Sequence, residues 1–149
     1  MRLEKMKQSD YPILSDLYQN KDVMQMITGY PLEEETIQQK WKDIMSWKKE
    51  FGYYKVLVDN ECVGIGCLKP HQNDVEIGYM LFPKYWKRGY GTKICEQLVE
   101  IAQMMDVQKM VAYIDPYNQA SKKILEKQGF LSVYIKGDTE ILERNIVWR

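Results

Sequence analysis

The sequence predicts an α+β domain (equally describable as α/β mixed): one mixed β-sheet with helices packed on it. Three observations carry this. Short runs rich in β-branched and aromatic residues recur at Tyr53–Val58, Cys62–Leu68, Val75–Phe82 and Met110–Ile114. Apolar residues repeat at three- to four-residue spacing after Glu33, Gly89 and Asn118. The two patterns interleave in the order β, α, α, β, β, β, α, β, α, β, β, which suits a layered sheet-and-helix domain. At 149 residues the chain is one domain's length, and no linker, repeat or low-complexity block divides it, so a single domain over 1–149 is expected.

Taken in order, Leu3–Lys7 alternates as a short strand, and Ser9 can cap a helix from Asp10 to Asn20. Glu33, Glu34 and Glu35 place carboxylates where a helix dipole favours them. Ile37, Trp41, Ile44 and Met45 then line one face, with the stem of Lys48 extending it. Asp59-Asn60-Glu61 tolerates a tight reversal, so the two runs around it form a hairpin. Val75–Phe82 is closed by Pro83, which cannot donate to a sheet ladder. Ile94, Leu98, Ile101, Ala102 and Met105 mark the helix after Gly89. Asn118 caps the next helix, which Gly129 ends in the left-handed conformation with Phe130 folding back. Val133–Ile135 and Ile141–Trp148 close the chain as strands.

Composition narrows the function classes. Twenty-one Lys plus Arg balance twenty-one Asp plus Glu, so no net field draws in nucleic acid. Nothing approaches the ~18 apolar residues of a membrane span, and the start of the chain lacks a signal peptide's apolar stretch, so a cytoplasmic address without membrane partners is expected. Cys62, Cys67 and Cys95 sit in apolar runs and read as reduced core thiols. His71 stands alone in a loop, and no ligand cluster for a metal exists.

The chemistry concentrates where the Val75–Phe82 strand passes through a basic loop into a helix. Backbone N–H groups from Lys87 to Thr92 open that helix without partners inside it, and the dipole adds positive character there. Gly89 and Gly91 let the backbone approach an anion, and Lys87, Arg88 and Lys93 supply counter-charge. A diphosphate fits this description; so does a plain strand-to-helix turn using glycine for geometry. The absence of Gly-Lys-Ser/Thr removes a P-loop, and the three-glycine dinucleotide fingerprint is incomplete.

Three motifs in order, Glu76-Ile77-Gly78-Tyr79, Pro83-x-Tyr85-Trp86-x-x-Gly89-Tyr90-Gly91-Thr92 and Asn118-x-x-Ser121-x-x-Ile124-Leu125-Glu126-Lys127-x-Gly129-Phe130, resemble the GNAT N-acetyltransferase superfamily. Within it they are most similar to the branch of ribosomal-protein N-terminal acetyltransferases. The resemblance implies the acyl-CoA N-acyltransferase (GNAT) fold, a mixed sheet of six to seven strands splayed into a V and flanked by about four helices. It implies acetyl-coenzyme A as acyl donor and a primary amine as acceptor, with direct transfer between them. The pantetheine arm would pair with backbone near Leu81 and Phe82, and the pyrophosphate would rest on Lys87, Arg88, Gly89, Tyr90, Gly91 and Thr92, with Asn118 across the opening. A homodimer is compatible with it.

The resemblance also points to catalytic groups. Glu76 matches the position of a general base that takes the proton of the attacking amine, the alternative being an ion pair with a lysine. Many members place a tyrosine where this chain has Leu125, so that role cannot be carried over. Ser121 matches a serine used in the N-terminal acetyltransferase branch to protonate the departing thiolate, or is an ordinary first-turn serine. Lys87 stands where glycine is common, which raises the question of the loop's backbone geometry. Tyr30, Trp41, Trp47, Tyr53 and Tyr54 either roof the acceptor cleft or fill core. A competing function is a catalytically silent acyl-CoA sensor or interaction module, motivated by Leu125.

Overall fold

A computed structural model describes residues 1–146. Its strands are β1 (Arg2–Lys5), β2 (Gly52–Val58), β3 (Glu61–His71), β4 (Asp74–Leu81), β5 (Lys109–Ile114), β6 (Leu131–Lys136) and β7 (Thr139–Asn145). Its helices are α1 (Tyr11–Gln19), α2 (Lys21–Met24), α3 (Glu34–Ser46), α4 (Tyr90–Ala102) and α5 (Gln119–Lys127), with 3₁₀ turns at Gln8–Asp10 and Pro83–Tyr85. The strands form one seven-stranded sheet in the order β1-β2-β3-β4-β5-β7-β6. Neighbours are antiparallel except β4 and β5, which run parallel. This is the mixed sheet of the GNAT fold.

Turn chemistry explains the hairpins. Asp59 and Asn60 both take positive φ, 51° and 65°, between the paired Val58 and Glu61, as a two-residue type I′ turn demands. β3 runs on to His71, beyond the expected end at Leu68, although Pro70 lies within it. Pairing of β3 to β2 stops at Gly52–Leu68. The alternation set by the Phe82 N–H to Val63 O bond points the Pro70 nitrogen toward that vacated side. No ladder bond is lost, so proline is tolerated there. His71 therefore ends a strand, and its Nε2 lies 2.5 Å from the Tyr113 hydroxyl, which corrects the expected open loop.

Two capping expectations change. Ser9 does not cap the first helix; the Asp10 carboxylate reaches back to the Lys7 N–H at 2.9 Å and pairs with Lys55 Nζ at 3.0 Å. Asn20 does not extend that helix but breaks it with ψ 118°, then accepts from the Asp22 and Val23 amides to start α2. That single-turn helix brings the number to five instead of about four. Lys48 lies past the end of α3, so its stem does not extend that helix face. The expected strand Ile141–Trp148 begins at Thr139 and is followed to Asn145; Val147 and Trp148 lie outside the described residues.

The sheet buries both faces. On one, Val75, Ile77, Leu98, Met110 and Phe130 join α4 and α5 to the strands. On the other, Leu14, Leu17, Ile37, Trp41, Tyr53 and Ile65 join α1 and α3. α5 ends in a Schellman motif: Phe130 N–H bonds Leu125 O, Gly129 N–H bonds Glu126 O, and Gly129 holds φ 88°. Phe130, fully buried, anchors the turn and sets the tilt of α5 against the sheet. Phe130→Ala is expected to lower the unfolding free energy by about 3–5 kcal/mol, read from urea denaturation; a loss below about 1 kcal/mol contradicts this anchoring role.

Candidate active site

The site begins with the pairing of β4 and β5. Their register comprises only Val75–Met110 and Glu76–Val111, after which the strands diverge into a V. Phe82 N–H bonds Val63 O, so even-numbered residues of β4 point their backbone groups at β3 and odd-numbered ones point away. Beyond Glu76, the groups of Tyr79 and Leu81 on that side have no strand beside them. An extended amide-bearing ligand can pair there as an added strand.

Side chains alternate too. Ile77, Tyr79 and Leu81 pack toward α4, whereas Met80 and Phe82 belong to the face under α1 and α3. Glu76 lies on this second face, its Oε2 3.8 Å from Lys69 Nζ, too long for a hydrogen bond.

The cleft has two connected halves. The first, about 430 Å³, is lined by Leu81, Trp86, Lys87, Gly89 to Thr92, Asn118, Ser121 and Ile124. The second, about 260 Å³, is lined by Tyr18, Tyr53, Lys69, Glu76, Tyr113, Asp115, Asp138 and Leu125 among others. Tyr79, Met80, Asn118, Ser121, Met26 and Ile27 border both.

The wall of the first half is built by the loop after β4. Pro83–Tyr85 forms a 3₁₀ turn, and Trp86 donates its indole N–H to the Leu81 carbonyl at 2.9 Å, tying the loop to the strand end. Lys87 adopts φ 62° and Gly89 φ 81°. A lysine there accepts backbone strain of about 1–2 kcal/mol, so the loop reaches this geometry without glycine at 87. The first bond within α4 is Lys93 N–H to Gly89 O at 3.4 Å, which leaves the Tyr90, Gly91 and Thr92 amides ahead of it without helical partners. A Cβ on Gly91 would stand 3.1 Å from Ile124 and 3.4 Å from the Tyr79 ring, so glycine lets α4 start close against α5 and β4.

Opposite, Asn118 caps α5 by accepting from the Ser121 N–H at 3.2 Å. That cap fixes the first turn of α5, and Ser121 Oγ accepts a hydrogen bond from the Tyr79 hydroxyl at 3.3 Å. Burial pushes the Tyr79 phenol up to about 12, so it holds its proton across the neutral range. Deeper in the second half, the hydroxyls of Tyr18 and Tyr53 meet at 2.8 Å, and burial raises both phenols well above their ordinary value. Its charged lining residues are Lys69 with Glu76 beside it at 3.8 Å, and the carboxylates Asp115 and Asp138.

Most residues singled out in the sequence meet in this cleft: Glu76, Leu81, Lys87, Gly89, Tyr90, Gly91, Thr92, Asn118 and Ser121 line it. Two do not. Phe82 spends its N–H on Val63 O and its carbonyl on Tyr85 N–H, and its ring bridges the two cores. Arg88 lies over the Tyr85 ring at 5.7 Å. Of the aromatics, Tyr53 lines the cleft, Trp41 is core, and Tyr30 is exposed. Glu34 is held by Tyr11, Ser15 and Gln19 instead of facing the cleft. No group of three potential metal ligands exists among the described residues. Sequence reasoning missed Tyr79, Tyr18 and Lys69. Tyr79 was legible in part, since it stands in the quoted Glu76–Tyr79 motif, but its contact with Ser121 joins residues 42 positions apart.

Comparison with known proteins agrees with this geometry. The crystal structure of a spermidine N-acetyltransferase from Vibrio cholerae, in complex with CoA and spermine, superposes with a TM-score of 0.80 over 97% of this chain and 95% of that one, at 12% identity. A ribosomal-protein-alanine N-acetyltransferase from Brucella melitensis gives 0.79 over 97% and 99%, at 16% identity. At these identities the likeness concerns the fold. The uncharacterized N-acetyltransferase YoaA of Bacillus subtilis (strain 168) is 26% identical over 69 residues, 46% of this chain, and the match spans only 39% of that relative's length. The family model described as acetyltransferase (GNAT) domain matches residues 1–131, most of the 149-residue chain, and the chain belongs to that family.

Proposed function

We propose that this chain is an N-acetyltransferase that moves the acetyl group of acetyl-coenzyme A directly to a primary amine, with both substrates bound at once. The observation that carries the reading is the cleft in the V, whose two adjoining pockets share Tyr79, Met80, Asn118 and Ser121 and are lined by the Lys87 and Gly89–Thr92 loop on one side and by Glu76 on the other. In this reading the loop amides and Lys87 hold the pyrophosphate, and the β4 edge pairs with the pantetheine amides through the Tyr79 backbone groups and the Leu81 N–H, the Leu81 carbonyl being taken by Trp86. Glu76 takes the proton of the amine, since an ammonium has no lone pair for attack. Ser121 gives a proton to the departing thiolate. The chain acts as one domain in the cytoplasm, away from nucleic acid and membranes, alone or as a homodimer. Among the described residues no helix is long and apolar enough to cross a membrane.

The acceptor half favours a cation, because three carboxylates face one ammonium there. A polyamine, as in the Vibrio cholerae structure, and a protein N-terminal amine, as in the ribosomal-protein branch, both satisfy that field. The silent-sensor reading draws on Leu125, a buried side chain with no proton to give. Turnover separates the two readings.

Acetyl-coenzyme A is expected to bind with a dissociation constant between about 1 µM and 1 mM by calorimetry, and no detectable heat would sink the proposal. Gly89→Val, a β-branched residue at φ 81°, is expected to weaken that binding by about tenfold or more. With a panel of spermidine, an alanine-initiated peptide and monoamines, free-thiol release should follow at least one amine. Glu76→Gln should then lower kcat by about 10²-fold or more while acetyl-coenzyme A affinity stays nearly constant. An unchanged kcat removes Glu76 from the role of base.

A further inference from the structure

We propose that Tyr79 is the terminal proton source of this site, passing a proton through the Ser121 hydroxyl to the thiolate as it leaves; the inference rests on the acetyl-transfer reading above. Three observations meet on it. The Tyr79 hydroxyl donates to Ser121 Oγ at 3.3 Å, which leaves the serine's own proton free to point into the cleft. Both residues border the two halves of the cleft, at the junction a thioester must occupy to meet an amine beside Glu76. The next turn of α5 brings Leu125 to the cleft wall, so the hydroxyl reaching this junction comes from β4 and not from that turn.

A serine alone is a very weak acid and a poor match for a thiolate. A phenol hydrogen-bonded to it, at 3.3 Å, lets charge developing on sulfur be spread over two proton shifts instead of one. As the nitrogen–carbon bond forms, the carbon–sulfur bond breaks and its electron pair stays on sulfur. The Ser121 proton moves to sulfur and the Tyr79 proton moves to Ser121 Oγ. The proton released by the amine passes through Glu76 to solvent water, which returns one proton to the phenolate. Atoms and charge balance with water as the only other participant. Because burial raises the phenol to about 12, Tyr79 carries its proton throughout the neutral range.

Backbone placement keeps the pair in register. Tyr79 sits on β4, its ring against Gly91, and the Asn118 cap fixes the turn that carries Ser121. Replacing the phenol by phenyl removes one hydroxyl and keeps the ring that packs there.

The test uses Tyr79→Phe and Ser121→Ala, singly and together, with acetyl-coenzyme A and the most active amine of the panel above. The relay predicts that each single change lowers kcat by about 10²-fold and that the double change is no worse than the more damaging single one. Acetyl-coenzyme A affinity should move less than about threefold in Tyr79→Phe, as expected when only transition-state stabilisation is lost. The wild type should also show a curved rate dependence on deuterium fraction, from two protons in flight, that becomes linear in Tyr79→Phe. An unchanged kcat in Tyr79→Phe overturns the relay, as does a lowered kcat with the curvature retained, which marks a merely structural role. A wild type that binds acetyl-coenzyme A but releases no thiol with any amine overturns the acetyl-transfer reading and the relay together. A working wild type with an unaffected Tyr79→Phe overturns the relay alone.

Discussion

The whole site depends on a parallel strand pair that fails after two residues. β4 and β5 pair at Val75–Met110 and Glu76–Val111 and then separate, so the middle of a seven-stranded sheet is left with an open edge. A bare edge of this kind is ordinarily a liability, because unpaired N–H and C=O groups invite another strand. Here it borders an opening walled by the starts of α4 and α5, toward which Tyr79 and Leu81 turn their backbone groups, the Leu81 carbonyl being held by the Trp86 indole. Each flanking element helps hold the V open. The β5–β7 pair anchors one arm, and the β3–β4 hairpin anchors the other.

The helix starts then determine what can lie in the opening. At the end of β4 the chain turns through Pro83–Tyr85, is tied back by the Trp86–Leu81 bond, and passes two positive-φ residues before α4 begins. This presents three unbonded amides and the positive end of the dipole to one mouth of the cleft. The other half is lined by Glu76, Asp115 and Asp138, with Lys69 beside Glu76. The two ends of the cleft therefore differ in charge, and hydroxyls of Tyr79 and Ser121 lie where the two halves meet. Backbone strain at Lys87 is tolerated because the surrounding turn, bond and helix over-determine its position.

Much of this was legible in the sequence because it depends on local chemistry. Asp59-Asn60 fixes its own turn, Asn118 its own cap, Gly129-Phe130 its own Schellman closure, and the Gly89-Tyr90-Gly91 run marks the start of α4. The errors arose where tertiary context overrode local preference. The strand expected to end at Leu68 runs on to His71, because the Pro70 nitrogen faces a side that β2 has already vacated. Ser9 reads as a cap until Asp10 proves better placed between Lys7 and Lys55. The pairing of Tyr79 with Ser121 and of Tyr18 with Tyr53 could not be read from spacing, since each joins residues that meet only once the sheet has formed. Phe82 shows the reverse case: adjacent to Leu81 in sequence, it has its backbone fully engaged and its ring packed between the two cores, away from the cleft.

If the gap between β4 and β5, with the loop at its mouth, seats a nucleotide-bearing thiol, an amide NMR titration with coenzyme A will show it. The largest shifts are expected at the N–H groups of Lys87 through Thr92 together with Tyr79 and Leu81, with Val63 to Cys67 on the paired side of β4 far less affected. Shifts that leave the loop and the β4 edge unmoved, or that cluster on the outer strands β1 and β6, would contradict it.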